Sequence, residues 1–175
     1  LLRKAGLDVS YESLGLSTLS RLEEAGVLAR SAQMSAALQS DEVGIILSAR
    51  GGYGASDLLS RIEWERVARS KRKCLIGFSD VTALQSGLFT VLGWPSLHAP
   101  MPGSPLWQND VTVTNLIDLL STGWGGPWSG DLKLSPVEGS KPMTGPIAGQ
   151  LFGGCLSVLS NLIGTQYLPQ RFSRH

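Results

Sequence analysis

Apolar positions in this chain follow two different spacings, and their alternation predicts the fold. Val43-Gly44-Ile45-Ile46-Leu47 is β-branched and apolar nearly throughout, which predicts a strand covered on both faces, as in a parallel sheet. Lys73 to Ile76 predicts a second buried strand, and Pro95 to Leu97 a third. Elsewhere the spacing becomes helical. Met34, Ala37 and Leu38 recur at i, i+3 and i+4 within Ser31 to Gln39, with Ser31 as the candidate N-cap. Leu84, Leu88 and Val91 share one face of a predicted helix from Val81 to Leu92. Further helices are predicted over Thr18 to Ala25, Ser56 to Ser60, Trp64 to Ala68 and Thr112 to Leu120, the last with Asn109 or Asp110 near its cap. Leu1 to Ala5 reads as a helix tail stopped by Gly6, and Leu7-Asp8-Val9 as a short strand.

Strand, glycine turn, helix, then strand, turn, helix again is the βαβ order. It predicts an α/β fold with a Rossmann-like parallel sheet and helices on both faces. Near Thr122 the pattern breaks. Gly123 to Gly130 carries turn signals without periodicity, and Leu132 to Leu134 and Pro136-Val137 look extended. From Ile147 the chain is glycine-rich and then helical, with an apolar face of Leu156, Val158, Leu159 and Ile163. The expected organisation is a first domain over residues 1–122, a linker over 123–146, and over 147–175 the incomplete beginning of a second, smaller α/β domain. The chain opens at Leu1 without a methionine and ends at Arg171 to His175 without a closing element, so truncation at both ends is expected. The face of Leu156, Leu159 and Ile163, left uncovered, predicts poor solubility or self-association.

Composition narrows the function. Apolar residues make up 42% and charged residues 17%, which excludes a disordered chain. A net charge of +1 gives no footprint for nucleic acid or for an anionic membrane. No apolar run approaches the roughly 18 to 20 residues of a membrane span. No signal peptide is visible, which points to the cytoplasm. Cys74 and Cys155 match no metal-ligand spacing, so no metal and no cofactor is expected.

Candidate chemistry concentrates on two turns. Ile76-Gly77-Phe78-Ser79-Asp80-Val81-Thr82 places a hydroxyl on a predicted strand-to-helix turn, where a nucleophile is best displayed and helix amides face a developing oxyanion. Val81 stands where the α/β-hydrolase elbow has its second glycine, and Ser79 or Asp80 could equally serve as a helix cap. Gly51-Gly52-Tyr53-Gly54 follows the neighbouring strand and can bring backbone amides close to a ligand, or can be a plain tight turn. It is neither a dinucleotide fingerprint nor a P-loop, and Ser70-Lys71-Arg72 supplies no acidic ribose partner. In a parallel sheet both turns emerge at the same edge. A nucleophile also needs a base. His98 follows the third strand and could line that edge, or be a structural hydrogen-bonder, and His175 is terminal.

Together these segments resemble the LD-carboxypeptidases, the serine peptidases that include murein tetrapeptide carboxypeptidases and microcin C immunity hydrolases. The resemblance rests on Arg50-Gly51-Gly52-Tyr53-Gly54, Leu75 to Leu84, His98-Ala99-Pro100-Met101, Gly153-Gly154-Cys155-Leu156-Ser157 and Leu162-Ile163-Gly164-Thr165, in the family's order and spacing. It implies Ser79 as nucleophile, with the amides of Asp80 and of the Gly51-Gly52 turn as oxyanion hole. Tyr53 and His98 would border the pocket. The family's triad glutamate and histidine lie beyond the position of Gly164-Thr165, so neither is expected in this chain, which would then be inactive alone. Ala99 and Cys155 depart from the glycine and asparagine usual there. The implied activity is release of the terminal D-alanine from a murein tetrapeptide during cell-wall recycling, by a metal-free homodimer. A non-catalytic module binding a peptide or anion, and a microcin C-type immunity hydrolase, are the alternatives.

Overall fold

Buried β-branched and aliphatic residues seed a small parallel sheet at the centre of the molecule. The computed structural model describes residues 1–15, 20, 22–108, 110–122, 138, 139, 145 and 149–171. Among them the sheet has three strands in the order β1 (Ile45–Leu47), β2 (Cys74–Gly77) and β3 (Ser96–His98). Both pairings are parallel, with Leu47 opposite Ile76 and Gly77 opposite His98. All three predicted strands are present, each within about two residues of its expected position. Only β2 is buried at every position; β1 is half-buried, because it has β2 on one side only among the described residues.

Alternation along β2 divides the core in two. Leu75 points into a cluster with Leu38, Leu59, Val67, Leu84 and Leu88. Cys74 and Ile76 point the other way, to Leu116 and Leu120. The first cluster is covered by α1 (Glu24–Gln39), α2 (Ser56–Leu59), α3 (Trp64–Val67) and α4 (Thr82–Leu92), the second by α5 (Asp110–Ser121). Successive strands progress in one direction, so right-handed crossovers put both intervening connections on one face, and the next helix covers the other. The expected two-faced α/β architecture is therefore observed.

Local expectations fail where a long-range partner decides. Leu7-Asp8-Val9 is not a strand; the Arg3 guanidinium donates to the Val9 carbonyl at 2.7 Å, taking an oxygen that a neighbouring strand would use. Ser31 does not cap a helix. The helix starts at Glu24, which leaves Ser31 buried in its middle, donating its hydroxyl hydrogen to the Val27 carbonyl at 2.8 Å. Part of the helix expected over Thr18 to Ala25, the cap at Asn109, and the extended segments 132–134 and 136–137 lie outside the described residues.

A short helix, α6 (Leu156–Ser160), follows the glycine pair 153–154. Part of the expected apolar face is left uncovered, as predicted, and part is packed against the core. Leu162 is buried and Val158 packs against the first core cluster, whereas Leu156 and Ile163 stay exposed. Polar bonds hold this segment to α4. The Ser86 hydroxyl donates to the Tyr167 carbonyl at 2.6 Å, and the Thr82 hydroxyl oxygen accepts the Cys155 N–H at 3.1 Å. No helix among the described residues is long and apolar enough to cross a membrane.

Candidate active site

The turn after β2 is built around a clash that only glycine avoids. Val81 folds back over Gly77, and a methyl on Gly77 would lie 2.9 Å from a Val81 γ-carbon. This is how the turn works without the second glycine of the α/β-hydrolase elbow: the bulk at Val81 is accommodated by its absence at Gly77. The chain leaves the strand extended at Phe78 and then reverses sharply at Ser79, whose φ is +60°. Ser79 is the only non-glycine residue with positive φ among the described residues. A left-handed backbone there costs about 1–2 kcal/mol. Such strain, held by the surrounding structure, is characteristic of functional turns. A 3-10 turn over Ser79–Val81 then runs directly into α4, so Ser79 stands at the amide end of a continuous helical stretch.

The other glycine turn meets this residue. A methyl on Gly51 would approach the Ser79 Cβ to 3.2 Å and its Oγ to 3.4 Å. The two turns are also joined by a bond: the Asp80 carboxylate accepts the Ala55 N–H at 3.0 Å. The expected convergence at one sheet edge is thus realised as a close approach of the two turns. Ser79 is half-buried and borders a cavity of about 400 Å³ shared with Gly51, Gly52 and Arg50. The far wall comes from Met101 and the Gly103-Ser104-Pro105 turn, which is held by the Gly103 N–H donating to the Ala49 carbonyl at 2.7 Å. Chemically this is a hydroxyl on a strained turn, at a helix N-terminus, beside a glycine-rich backbone and an open pocket. That combination suits attack on a carbonyl and stabilisation of the oxyanion formed.

Two of the other expected residues stand further off. Tyr53 is largely exposed and lines a neighbouring groove of about 640 Å³, beyond the Ser79 cavity. His98 ends β3 at the same edge of the sheet, with its ring edge-on to Phe78 at a centroid distance of 6.2 Å. Its residue surface is largely exposed, but partial withdrawal from water lowers the imidazole pKa. It lines neither cavity, and no hydrogen bond joins it to Ser79. Cys155 sits beside the first turn of α4, with its thiol sulfur 3.2 Å from the Ser157 hydroxyl. No group of three or more histidine, cysteine, aspartate or glutamate side chains suited to a metal occurs among the described residues. Phe78 has no role of its own in the sequence motif that contains it, and the 103–105 wall belongs to no reading of the sequence; a Pro-Gly-Ser-Pro run is a turn signal, but nothing local says what it faces.

Residues 1–99 match the sequence model of the LD-carboxypeptidase N-terminal domain. A murein tetrapeptide carboxypeptidase of Pseudomonas aeruginosa is 32% identical over 121 residues, which is 66% of this chain and 38% of that protein. Among solved structures, a muramoyltetrapeptide carboxypeptidase from Oxalobacter formigenes superposes with a TM-score of 0.64 at 24% identity, covering 96% of this chain and 54% of that one. The microcin C7 self immunity protein MccF gives the same TM-score at 20% identity, over 82% of this chain and 50% of its own. These two likenesses show the fold. The chain spans half or less of the length of curated relatives it matches, for example 37% of one and 50% of another.

Proposed function

The chain belongs to the LD-carboxypeptidase family, and from that premise we propose that Ser79 is the nucleophile of a serine peptidase that removes the terminal D-alanine from a murein tetrapeptide. The observation that carries the proposal is the left-handed Ser79, facing Gly51 so closely that a side chain there would crowd it, at the mouth of a pocket. In the reaction, Ser79 Oγ bonds to the carbonyl carbon of the L–D amide while a base takes its proton. The carbonyl oxygen becomes an oxyanion, received by the amides of Asp80 and of the Gly51-Gly52 turn. The proton passes to the leaving nitrogen as the C–N bond breaks, D-alanine departs, and water releases the acyl group by the reverse steps. His98 is not assigned as the base, since it has no bond to Ser79. The histidine and glutamate of the family's triad fill that role in this reading. A cytoplasmic location, and the metal-free homodimeric state usual in the family, are part of the same proposal.

The deciding assay uses the complete gene product, with whatever coding sequence flanks this chain. Incubation with murein tetrapeptide is expected to release D-alanine, and Ser79→Ala is expected to abolish that release. Undiminished release by the Ser79→Ala protein refutes the assignment. Saturable binding of the peptide without turnover favours a non-catalytic binding module instead. Tight binding of aspartyl sulfamoyl adenosine, the ligand named with one structure of MccF, would favour the microcin-type alternative.

A further inference from the structure

One charged residue lines the Ser79 cavity among the described residues, and it is Arg50. Its Nε–H donates to the Gly51 carbonyl at 3.3 Å. That bond turns the guanidinium back over the glycine turn that faces Ser79. The ion pairs among the described residues join Arg61 to Glu24 and Arg66 to Glu63, and none involves Arg50. Among the described residues no aspartate or glutamate lines the cavity; its other walls are glycine backbone, Phe78, Met101, Ser104 and Pro105. A guanidinium with both terminal nitrogens outside any ion pair, one residue from the glycine that faces the nucleophile, is a forked donor for a carboxylate.

Substrate chemistry states where a carboxylate must lie. In a peptide about to lose its last residue, the terminal carboxylate carbon is three bonds from the scissile carbonyl carbon, a span of about 4 Å. An enzyme that attacks that carbonyl with Ser79 therefore meets the terminal carboxylate close to the serine, within the reach of one neighbouring side chain. We infer that Arg50 binds the free C-terminal carboxylate of the substrate and so restricts the enzyme to removing terminal residues. This rests on the reading of Ser79 as the nucleophile. An internal peptide bond, or a peptide whose C-terminus is amidated, offers the guanidinium no charge and gains nothing from it.

The test compares murein tetrapeptide as free acid with the same peptide amidated at its C-terminus, using the complete gene product and its Arg50→Gln and Arg50→Lys variants. Arg50 is exposed, so both variants are expected to melt as the wild type does. Arg50→Gln is expected to raise KM for the free acid roughly 10- to 100-fold, the worth of a charge-assisted hydrogen-bonded contact, with little change in kcat. Slow cleavage of the amide should be unaffected, and Arg50→Lys should recover part of the loss on the acid. An equal loss on acid and amide, or no loss on the acid, overturns the inference. If the wild type cleaves neither peptide, the peptidase reading fails, and binding of the two peptides still decides the role of Arg50. A preference for the acid that vanishes in Arg50→Gln then supports it; a preference that is absent, or that persists in the variant, overturns it.

Discussion

The Asp80 carboxylate accepts the backbone N–H of Ala55 at 3.0 Å. These residues are 25 positions apart, and each follows one of the two glycine turns at the sheet edge. The bond therefore ties the turn that carries Ser79 to the turn that carries Gly51, and it sets the spacing between the hydroxyl and the facing backbone. Removing the carboxylate in Asp80→Ala is expected to cost about 1.5–3 kcal/mol in denaturant unfolding, the range for a hydrogen bond to a charged group. It should also lower kcat more than KM, because the oxyanion amides lose their register. Asp80→Asn keeps an acceptor oxygen and should retain most of the stability. A wild-type kcat in Asp80→Ala would show that the turns hold their positions without this bond.

Gly77 and Val81 form a pair that should mutate together. Gly77→Ala puts a carbon 2.9 Å from the Val81 side chain, and overpacking of this kind typically costs about 1–3 kcal/mol. Val81→Ala alone opens a cavity under the turn. The double variant is expected to be more stable than the sum of the two single losses predicts, since each change makes room for the other. Strict additivity in a double-mutant cycle would contradict the packing described.

The strain at Ser79 makes a prediction in which stability and activity move in opposite directions. Ser79→Gly relieves the penalty of φ +60° and is expected to stabilise the fold by about 1 kcal/mol while abolishing peptide cleavage. Ser79→Ala removes the hydroxyl but keeps the Cβ, so it should be equally inactive without that gain. Equal melting temperatures for the two variants would mean that the turn is unstrained.

The two thiols should behave differently. Cys74 is buried on β2, and desolvation pushes its pKa up to about 11. Cys155 is half-buried, and the Ser157 hydroxyl bonded to its sulfur lowers its pKa. Near pH 8 one thiol per folded chain should therefore react quickly with a disulfide reagent, and Cys155→Ser should remove that reaction. Cys74 also contributes to pH dependence. A pKa raised on folding means that the folded state holds its proton more tightly. The contribution is complete below the unfolded pKa near 9 and is lost as the pH rises toward about 11. Unfolding titrations of the wild type should lose stability across that alkaline window, and Cys74→Ala should flatten the loss. Fast modification of both thiols in the folded chain would contradict the burial of β2.

Much of the site was legible because its ingredients are local. A strand followed by a glycine turn and a helix is written in consecutive residues, as at Leu75 to Leu84, and the parallel order of two such units places both turns at one edge. The approach of the Gly51 turn to Ser79 follows from that order. The residues that sequence reasoning placed poorly answer to distant partners. Ser31 looked like a cap because nothing nearby revealed that the helix begins at Glu24. Leu7-Asp8-Val9 has strand composition, yet pairs with no strand among the described residues. On the C-terminal segment, Leu156 and Ile163 are exposed as an uncovered apolar face predicts, but the periodicity did not show that Val158 and Leu162 would pack against the first core cluster.

Periodicity and turn chemistry were thus sufficient for the class of fold, the order of its elements and the hydroxyl at the strand-to-helix turn, because those depend on neighbours within a few residues. The left-handed backbone at Ser79, the carboxylate bridge from Asp80 to Ala55, the wall of Met101 and Gly103 to Pro105, and the place of Arg50 in the cavity came only with tertiary packing. Each of these joins segments tens of residues apart or depends on such a junction, and the geometry of a junction is set by how layers pack, which no local pattern encodes.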